Sequence, residues 1–230
     1  MKKSLVFLGL LLLALNVMAQ TSDTEKRIDY ISAFPICIQQ NAIEITDSLI
    51  VQFAMDFRND IYKKYRNDEF EWQDQKQKIK KEIEQLVLST STTGNYVMAT
   101  GIEFGNYDFE KLGFNVSIGE GTYFPFYASG RYNSNLPQIS LVFVDFTKYN
   151  FFPVAKDKAN EFLKSRKDSY GNVDRKITLL IHYTIVPASS DDFKKIVPIF
   201  SSGQNYVLVG KISKIDVYNK TTLLSELIIK

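Results

Sequence analysis

Apolar residues recur first with a helical period and later with a strand period. From residue 46 onwards they return every fourth position, which places them on one face of a helix: Leu49, Phe53, Phe57, Ile61 and Tyr65. Thr46 or Asp47 can cap the start of this helix with a side-chain oxygen. A second helical pattern covers residues 70–88, where Ile79, Ile83, Leu86 and Val87 interrupt a charged surface. Together the two segments predict a helical hairpin over residues 46–88.

Beyond the turn-forming residues 89–95 the pattern becomes that of β-strands. Six segments are rich in β-branched and aromatic residues: 96–104, 114–118, 139–146, 176–187, 206–218 and 223–229. One further helix is predicted over residues 154–164, where apolar side chains again have helical spacing. The apolar phase of the fifth segment shifts at Gly210 and Lys211, which predicts a β-bulge there. Asn219 and Lys220 predict a hairpin turn into the last strand.

These elements predict an α+β protein, with an N-terminal helical hairpin packed on a mainly antiparallel β-sheet and one additional helix. Most connections between strands are short, which favours antiparallel pairing. We expect one domain over residues 41–230, with a helical part at 46–88 and a strand-rich part at 95–230. Residues 20–40 are interpreted as a flexible leader segment.

The first 19 residues have the pattern of an export signal. Lys2 and Lys3 precede an apolar run over residues 5–15, and residues 17–19 form a small-residue cleavage site. That run is about half the length of a membrane-spanning helix, and no later stretch is longer. We therefore expect cleavage near Ala19 and an exported protein, periplasmic or extracellular, with no transmembrane segment in the mature chain.

Composition argues against nucleic acid as a partner. The full chain carries a formal net charge of +2, and Lys2 and Lys3 leave with the signal, so the mature chain is close to neutral. A neutral chain has no overall field that would attract phosphates. An apolar content of 45% is typical of a globular protein. Because the chain is expected to be exported and nearly neutral, we expect its partner to be a protein or an envelope component.

Cysteine and histidine are too scarce for common catalytic or metal sites. Cys37 stands between two isoleucines and is interpreted as a buried side chain, with a reactive or intermolecularly bridged thiol as the alternative. His182 lies inside a predicted strand and is interpreted as a structural histidine. One histidine and one cysteine cannot assemble a zinc site of the usual nitrogen and sulfur type. Gly119 and Gly121 lack the third glycine of a dinucleotide loop, so we expect no cofactor. Because histidine and cysteine are scarce, we also expect no metal.

The most unusual segment is 117–137, which combines aromatic residues, glycines and an arginine. Rings beside amide and guanidinium groups can bind a sugar or an aryl ligand. The candidate ligand-binding residues are Tyr123, Phe124, Phe126, Tyr127, Arg131 and Tyr132. The alternative is a surface loop whose aromatic residues fold back onto the edge of the sheet.

Three functions are compatible with these patterns. The evidence for an enzyme is weaker than the evidence for a binding protein. The first is a non-enzymatic exported protein that binds a partner through the sheet edge or the aromatic segment. The second is a module for a small aromatic, lipid or glycan ligand held between helix and sheet. The third is a hydrolase that uses a pair of nearby carboxylates: Glu103, Asp108, Glu110 and Glu120. No catalytic residue is assigned.

A resemblance to known proteins rests on two groups of residues. The Lys-Lys signal that ends in Val-Met-Ala-Gln, before a chain rich in Asn, Lys, Ile and Tyr, resembles exported proteins of Bacteroidota. Residues 105–109, followed by the strand, helix and strand unit and by Val-Gly-Lys-Ile in the last long strand segment, are similar to domains of unknown function in such proteins. The resemblance implies export and a shared fold, and it assigns no catalytic residue.

Overall fold

The computed structural model describes residues 25–119, 121–128, 134–200 and 205–228. These residues form an α+β fold with six α-helices and nine strands. The helices are α1 (Tyr30–Gln40), α2 (Asp47–Phe57), α3 (Asn59–Tyr65), α4 (Glu69–Ser89), α5 (Lys156–Lys164) and α6 (Asp191–Phe200). The strands are β1 (Lys26–Arg27), β2 (Asn95–Asp108), β3 (Gly113–Val116), β4 (Tyr123–Phe126), β5 (Ile139–Val144), β6 (Phe151–Pro153), β7 (Lys176–Ile185), β8 (Tyr206–Asn219) and β9 (Thr222–Leu227).

The strands form one mixed sheet in the order β4-β5-β8-β7-β2-β3-β6, with β1 paired to β2 and β9 paired to β8. Two described pairs are parallel, β1 with β2 and β5 with β8, and the other six are antiparallel. The α+β class is confirmed, as is the mainly antiparallel pairing. Because β6 also contacts β9, the β3–β6 end of the sheet curls towards β9.

The predicted helical hairpin is present, but its first helix is broken. Thr46 caps α2 by accepting a hydrogen bond from the backbone N–H of Leu49, as expected. Arg58, with φ −133° and ψ 42°, then separates α2 from α3. Asp68 caps α4 by accepting from the backbone N–H groups of Phe70 and Glu71. The side chain of Arg58 pairs with Glu82, which ties the break to α4.

Residues 30–40 differ most from the expected flexible leader. They form α1, in which Ala33, Phe34 and Cys37 have no exposed surface. Asp29 caps this helix by accepting from the backbone N–H of Ser32, whose hydroxyl accepts from the backbone N–H of Asp29. Pro35 lies inside the helix, where it removes one backbone hydrogen bond. Tertiary burial therefore outweighs a local sequence that disfavours a helix.

Helix α1 separates the helical hairpin from the sheet. It contacts β5 and β8 on one side and α4 on the other. Its rings join those of α2, with centroids 5.8 Å apart for Phe34 and Phe53 and 6.1 Å apart for Tyr30 and Phe57. The main core therefore runs from the hairpin through α1 to one face of the sheet.

The opposite face of the sheet is covered in part by α6, which is absent from the predicted elements. Phe193 of this helix is buried against valines of β5 and β8, namely Val142, Val207 and Val209. Pro198 lies inside the helix and interrupts its sequence signal. Helix α5 packs elsewhere, where Phe162 contacts the rings of Phe104 and Phe114.

The predicted bulge in β8 lies a short distance further along the strand. The register with β7 shifts between His182 and Tyr183, which pair with Lys214 and Ile212. Ser213 is therefore the extra residue, and its hydroxyl donates to the backbone carbonyl of His182. The predicted turn after β8 is present, since Asn219 pairs with Thr222 and Lys220 has a left-handed φ of 55°.

Gly113 provides a direct test of the pairing between β3 and β6. A Cβ atom at this position would lie 2.3 Å from the carbonyl oxygen of Phe152 and 2.4 Å from the ring of Phe151. We expect Gly113→Ala to lower the free energy of unfolding by about 1–3 kcal/mol, because backbone must move to relieve the clash. Urea unfolding followed by circular dichroism measures this change.

Gly119→Ala is the matched control, because an added Cβ there meets no described atom within 4 Å. Its stability should stay within about 0.5 kcal/mol of the natural protein. Equal stability of the two variants would contradict the close β3–β6 packing.

Candidate functional site

The aromatic segment singled out in the sequence contains the edge strand of the sheet. Strand β4 pairs with β5 in antiparallel register, with Tyr123 opposite Val142 and Phe126 opposite Ile139. It forms the end of the strand order. The middle of the segment is therefore ordered as a strand, with its aromatic residues alternating between two faces.

The predicted ligand-binding residues divide between the core and the surface. Phe124 packs against Phe143 and Phe146, with ring centroids 5.6 and 5.8 Å away, and Phe126 is partly buried against the same core. Tyr123 is 48% exposed, and Tyr127 is half-buried. Arg131 and Tyr132 lie outside the described residues. Of the four described candidates, Tyr123 is therefore the most available to a partner.

Tyr123 meets a residue of α6 that the sequence analysis did not identify. The rings of Tyr123 and Phe200 are 6.4 Å apart between centroids in an edge-to-face arrangement. Beside Phe200 is Ile199, which is 71% exposed. No local signal links residue 123 to residue 200, because only the packing of α6 against β5 and β8 brings them together.

Phe200 also borders an open cleft of about 220 Å³, next to strand β4. We define the edge surface as Tyr123 together with the residues that line this cleft: Gly119, Gly121, Thr122, Val142, Phe143, Val144, Asp145, Phe146, Thr147, Asp192, Lys195, Ile196 and Phe200. The lining combines aromatic rings with two carboxylates and one ammonium group. Aromatic residues are enriched at protein–protein interfaces, whereas charged residues belong mainly to their polar rim.

The end of the aromatic segment is fastened to the helical hairpin. The carboxylate of Asp56 accepts hydrogen bonds from the backbone N–H groups of Asn135 and Leu136, at 2.9 and 2.8 Å, and from the side-chain amide of Asn135 at 2.6 Å. The hydroxyl of Tyr30 donates to the carbonyl oxygen of Pro137 at 2.8 Å. Residues 135–137 are therefore held by α1 and α2, a long-range contact that sequence patterns do not reveal.

The described carboxylates proposed for a hydrolase do not lie in environments typical of a catalytic pair. Glu103 and Glu110 are exposed, and Glu120 lies outside the described residues. Asp108 accepts hydrogen bonds from the backbone N–H groups of Lys111 and Glu110, which lower the pKa of its carboxyl group. Asp108 thus stabilises the turn after β2, and no convergent pair of buried carboxylates forms among the described members of this set.

Cys37 and His182 belong to different faces of the sheet and do not form a nucleophile and base pair. Cys37 is completely buried within α1, and this burial raises the pKa of its thiol well above the usual range. A buried, protonated thiol is a poor nucleophile. Both ring nitrogens of His182 contact carboxylates on the face opposite the main core. The structural interpretation of both residues agrees with this geometry.

His182 is the centre of a buried charge cluster. Its Nδ1 atom lies 2.7 Å from Oε1 of Glu25, and its Nε2 atom lies 3.0 Å from Oδ2 of Asp216. Lys214 contacts the same Asp216 oxygen at 3.1 Å and Glu226 at 3.3 Å. Oδ1 of Asp216 is buried and has no hydrogen-bond partner among the described residues. The cluster connects Glu25, which directly precedes β1, to strands β7, β8 and β9.

Burial and ion pairing oppose each other in this cluster. Burial lowers the pKa of His182, but the hydrogen bonds and charges of Asp216 and Glu25 outweigh it and raise the pKa above its ordinary value. Burial raises the pKa of Asp216, but His182 and Lys214 outweigh it and lower the pKa below the usual range. Both shifts favour the charged pair, as expected for groups held in contact.

Within the part of the chain that the structure describes, no group of three or more His, Cys, Asp or Glu residues is placed to hold a metal ion. The same residues contain no helix that is both long enough and apolar enough to cross a membrane.

The fold is that of an α+β protein with a curled, mixed sheet. Helix α1 and the helical hairpin cover one face of the sheet, and α6 covers part of the other. The model of a protein family, domain of unknown function DUF4852, matches residues 46–165, and the chain belongs to this family. The match extends from α2 to the end of α5 and includes β4 and Asp56. No curated protein and no solved structure matches the chain.

The charge cluster predicts a dependence of stability on pH. Because the pKa of His182 is raised on folding, its contribution is complete below about pH 6.5 and is lost as the pH rises through the folded value. The contribution of Asp216 is complete above about pH 4 and is lost as the pH falls through its lowered value. We therefore expect the cluster to stabilise most between those limits.

His182→Ala should lower the free energy of unfolding by about 2–4 kcal/mol near pH 5.5, since the largely buried Glu25 carboxylate loses its partner and Asp216 keeps only Lys214. The loss should be smaller near pH 9. Lys148→Ala is the control, because its pair with Asp145 is exposed and contributes less than about 1 kcal/mol. Urea titrations at both pH values measure these losses. An equal loss of unfolding free energy for His182→Ala at pH 5.5 and at pH 9 would contradict the assignment.

Proposed function

We propose that the protein is an exported, non-enzymatic binding protein that contacts another protein of the cell envelope through the edge surface. The observation that carries the proposal is the pair of rings, Tyr123 and Phe200, at the edge of the sheet beside an open cleft. An exposed aromatic side chain next to a concave surface is a common anchor for a protein partner. The environments of Asp108, Cys37 and His182 give no comparable support to catalysis.

Two further features support binding at this edge. Strand β4 ends the strand order, and an edge strand presents backbone groups that a partner strand can pair with. Pro125 limits this pairing, because it offers no backbone N–H. We therefore assign the main contribution to side chains, with Tyr123 as the anchor and the cleft as the acceptor of a partner side chain.

Export rests on the N-terminal sequence pattern, and cleavage is the step to measure. Processing after Ala19 would leave Gln20 as the first residue. We expect N-terminal sequencing of the protein from envelope and culture fractions to begin at Gln20. Ala19→Leu should slow processing, because a bulky residue does not fit the small-residue position. Ser4→Leu is the control within the same segment. An uncleaved natural protein in the cytoplasmic fraction would contradict export.

Binding is tested with two variants of the edge surface. Tyr123→Ala removes the exposed ring, and Thr147→Arg places a large side chain in the cleft. With the natural protein as bait, we expect photo-crosslinking in the envelope fraction to yield a specific partner. Each variant should weaken the purified complex at least tenfold, equivalent to about 1.4 kcal/mol.

Tyr170→Ala is the matched control, since this tyrosine is 89% exposed but lies between α5 and β7, away from the edge surface. It should leave affinity unchanged. Circular dichroism would verify that each variant is folded. A partner that binds Tyr123→Ala and Thr147→Arg as tightly as the natural protein would exclude the edge surface as its binding site.

A further inference from the structure

A second cleft lies at the opposite end of the strand order from β4. Its volume is about 320 Å³, which is within the range of small-ligand sites, about 300–1,000 Å³. We call it the α5 cleft and define it by Tyr107, Phe109, Lys156, Asp157, Ala159, Asn160 and Leu163. It lies between the end of β2 and one face of helix α5, so a helix and a sheet form its two walls.

The aromatic wall of this cleft is well fixed at its base. The hydroxyl of Tyr107 donates to the carbonyl oxygen of Val154 at 2.9 Å, just before α5 begins. The Tyr107 ring also packs edge-to-face on Phe114, with centroids 5.1 Å apart. Phe109 contacts Tyr107 at 5.0 Å and an interplanar angle of 79°, yet it remains 69% exposed. A supported tyrosine therefore holds the Phe109 ring at the surface.

The helical wall supplies polar side chains that form no hydrogen bond or ion pair with the described residues. Lys156, Asp157 and Asn160 form no side-chain hydrogen bond or ion pair with any described residue. The ammonium group of Lys156 lies 6.0 Å from the centre of the Phe109 ring, which places a hydrogen-bond donor beside the aromatic wall. Between these groups, the partly buried Leu163 provides apolar surface, and the buried Ala159 also lines the cleft.

This combination selects a chemical class of ligand. Lys156 donates hydrogen bonds, Asp157 accepts them, and the amide of Asn160 does both. Hydroxyl groups also donate and accept, and the opposite charges of Lys156 and Asp157 leave the cleft with no net charge that would favour an anionic or a cationic ligand. The Phe109 ring and the aliphatic side chains match the C–H face of a sugar ring. We propose that the α5 cleft binds a neutral saccharide, with one ring against Phe109 and its hydroxyls on Asp157 and Asn160.

The size of the cleft limits the ligand to one or two sugar rings. A small, open site with few polar contacts gives millimolar affinity, about −4 kcal/mol. The inference goes beyond the proposed partner surface, since the two sites use different residues at opposite ends of the sheet. Failure of either one leaves the other intact.

The test uses the full mature chain and nuclear magnetic resonance. ¹⁵N-labelled protein is titrated with maltose, cellobiose, lactose and N,N′-diacetylchitobiose, each to about 10 mM, where a millimolar site is mostly occupied. We expect at least one disaccharide to shift backbone amide signals of residues 107–109 and 156–163. Benzoate, an aromatic carboxylate, is titrated as the competing chemical class.

Two variants identify the site. Phe109→Ala and Asn160→Ala should each weaken disaccharide binding about tenfold or more. Phe70→Ala is the matched control, because this phenylalanine is 86% exposed on α4 and outside the cleft, and it should leave binding unchanged. Amide spectra of the free variants report whether each is folded.

The remaining outcomes overturn the proposal. These are shifts with benzoate alone, disaccharide shifts confined to residues other than 107–109 and 156–163, no shift with any of the four disaccharides, or equal affinity of Phe109→Ala and the natural protein.

Discussion

The burial of residues 33–38 of α1 is the constraint on which the rest of the structure depends. This helix lies between the helical hairpin and the sheet, and its Phe34 and Cys37 side chains have no exposed surface. Hairpin and sheet are joined through it, because Phe34 packs on Phe53 while the helix contacts β5 and β8. Removal of α1 would expose the inner surfaces of both layers. The family match begins at residue 46, after this helix, so the matched region depends on a preceding segment for its core.

The two long strands of the sheet explain where the candidate sites lie. Strand β2 pairs with β7 over its first part and with β3 over its second, and β8 pairs with β5 first and with β9 later. Each long strand therefore pairs with different neighbours along its length. The edge surface lies at the β4–β5 end, where α6 packs, and the α5 cleft lies at the β2–β3 end. Binding surfaces at opposite ends can act independently.

Ionic contacts in this protein fasten segments that are distant in sequence. Asp56 holds residues 135 and 136 by their backbone N–H groups, and His182 connects Glu25 with Asp216. In each case one carboxylate, Asp56 or Asp216, accepts from more than one donor. Such contacts are strongly favourable only where the surrounding structure holds their geometry. The one histidine of the chain thus has a structural role that accounts for its burial without catalysis. By contrast, the exposed rings of Tyr123 and Phe109 have no comparable role in holding the fold together.

The sequence by itself determined the elements whose periodicity is strong. Repeats of Phe53 and Ile83, the Thr46 cap and the β-branched strands predicted the hairpin, α5 and the α+β class, because local pattern and burial agree there. Helices α1 and α6 were not predicted, since Pro35 and Pro198 oppose a helix locally and only packing restores it. For the site, Tyr123 and Phe124 were selected on composition, but only the tertiary structure decided that Phe124 lies inward and Tyr123 meets Phe200. The α5 cleft likewise depends on β2 and α5 lying side by side, a contact across some 50 residues that no local pattern encodes.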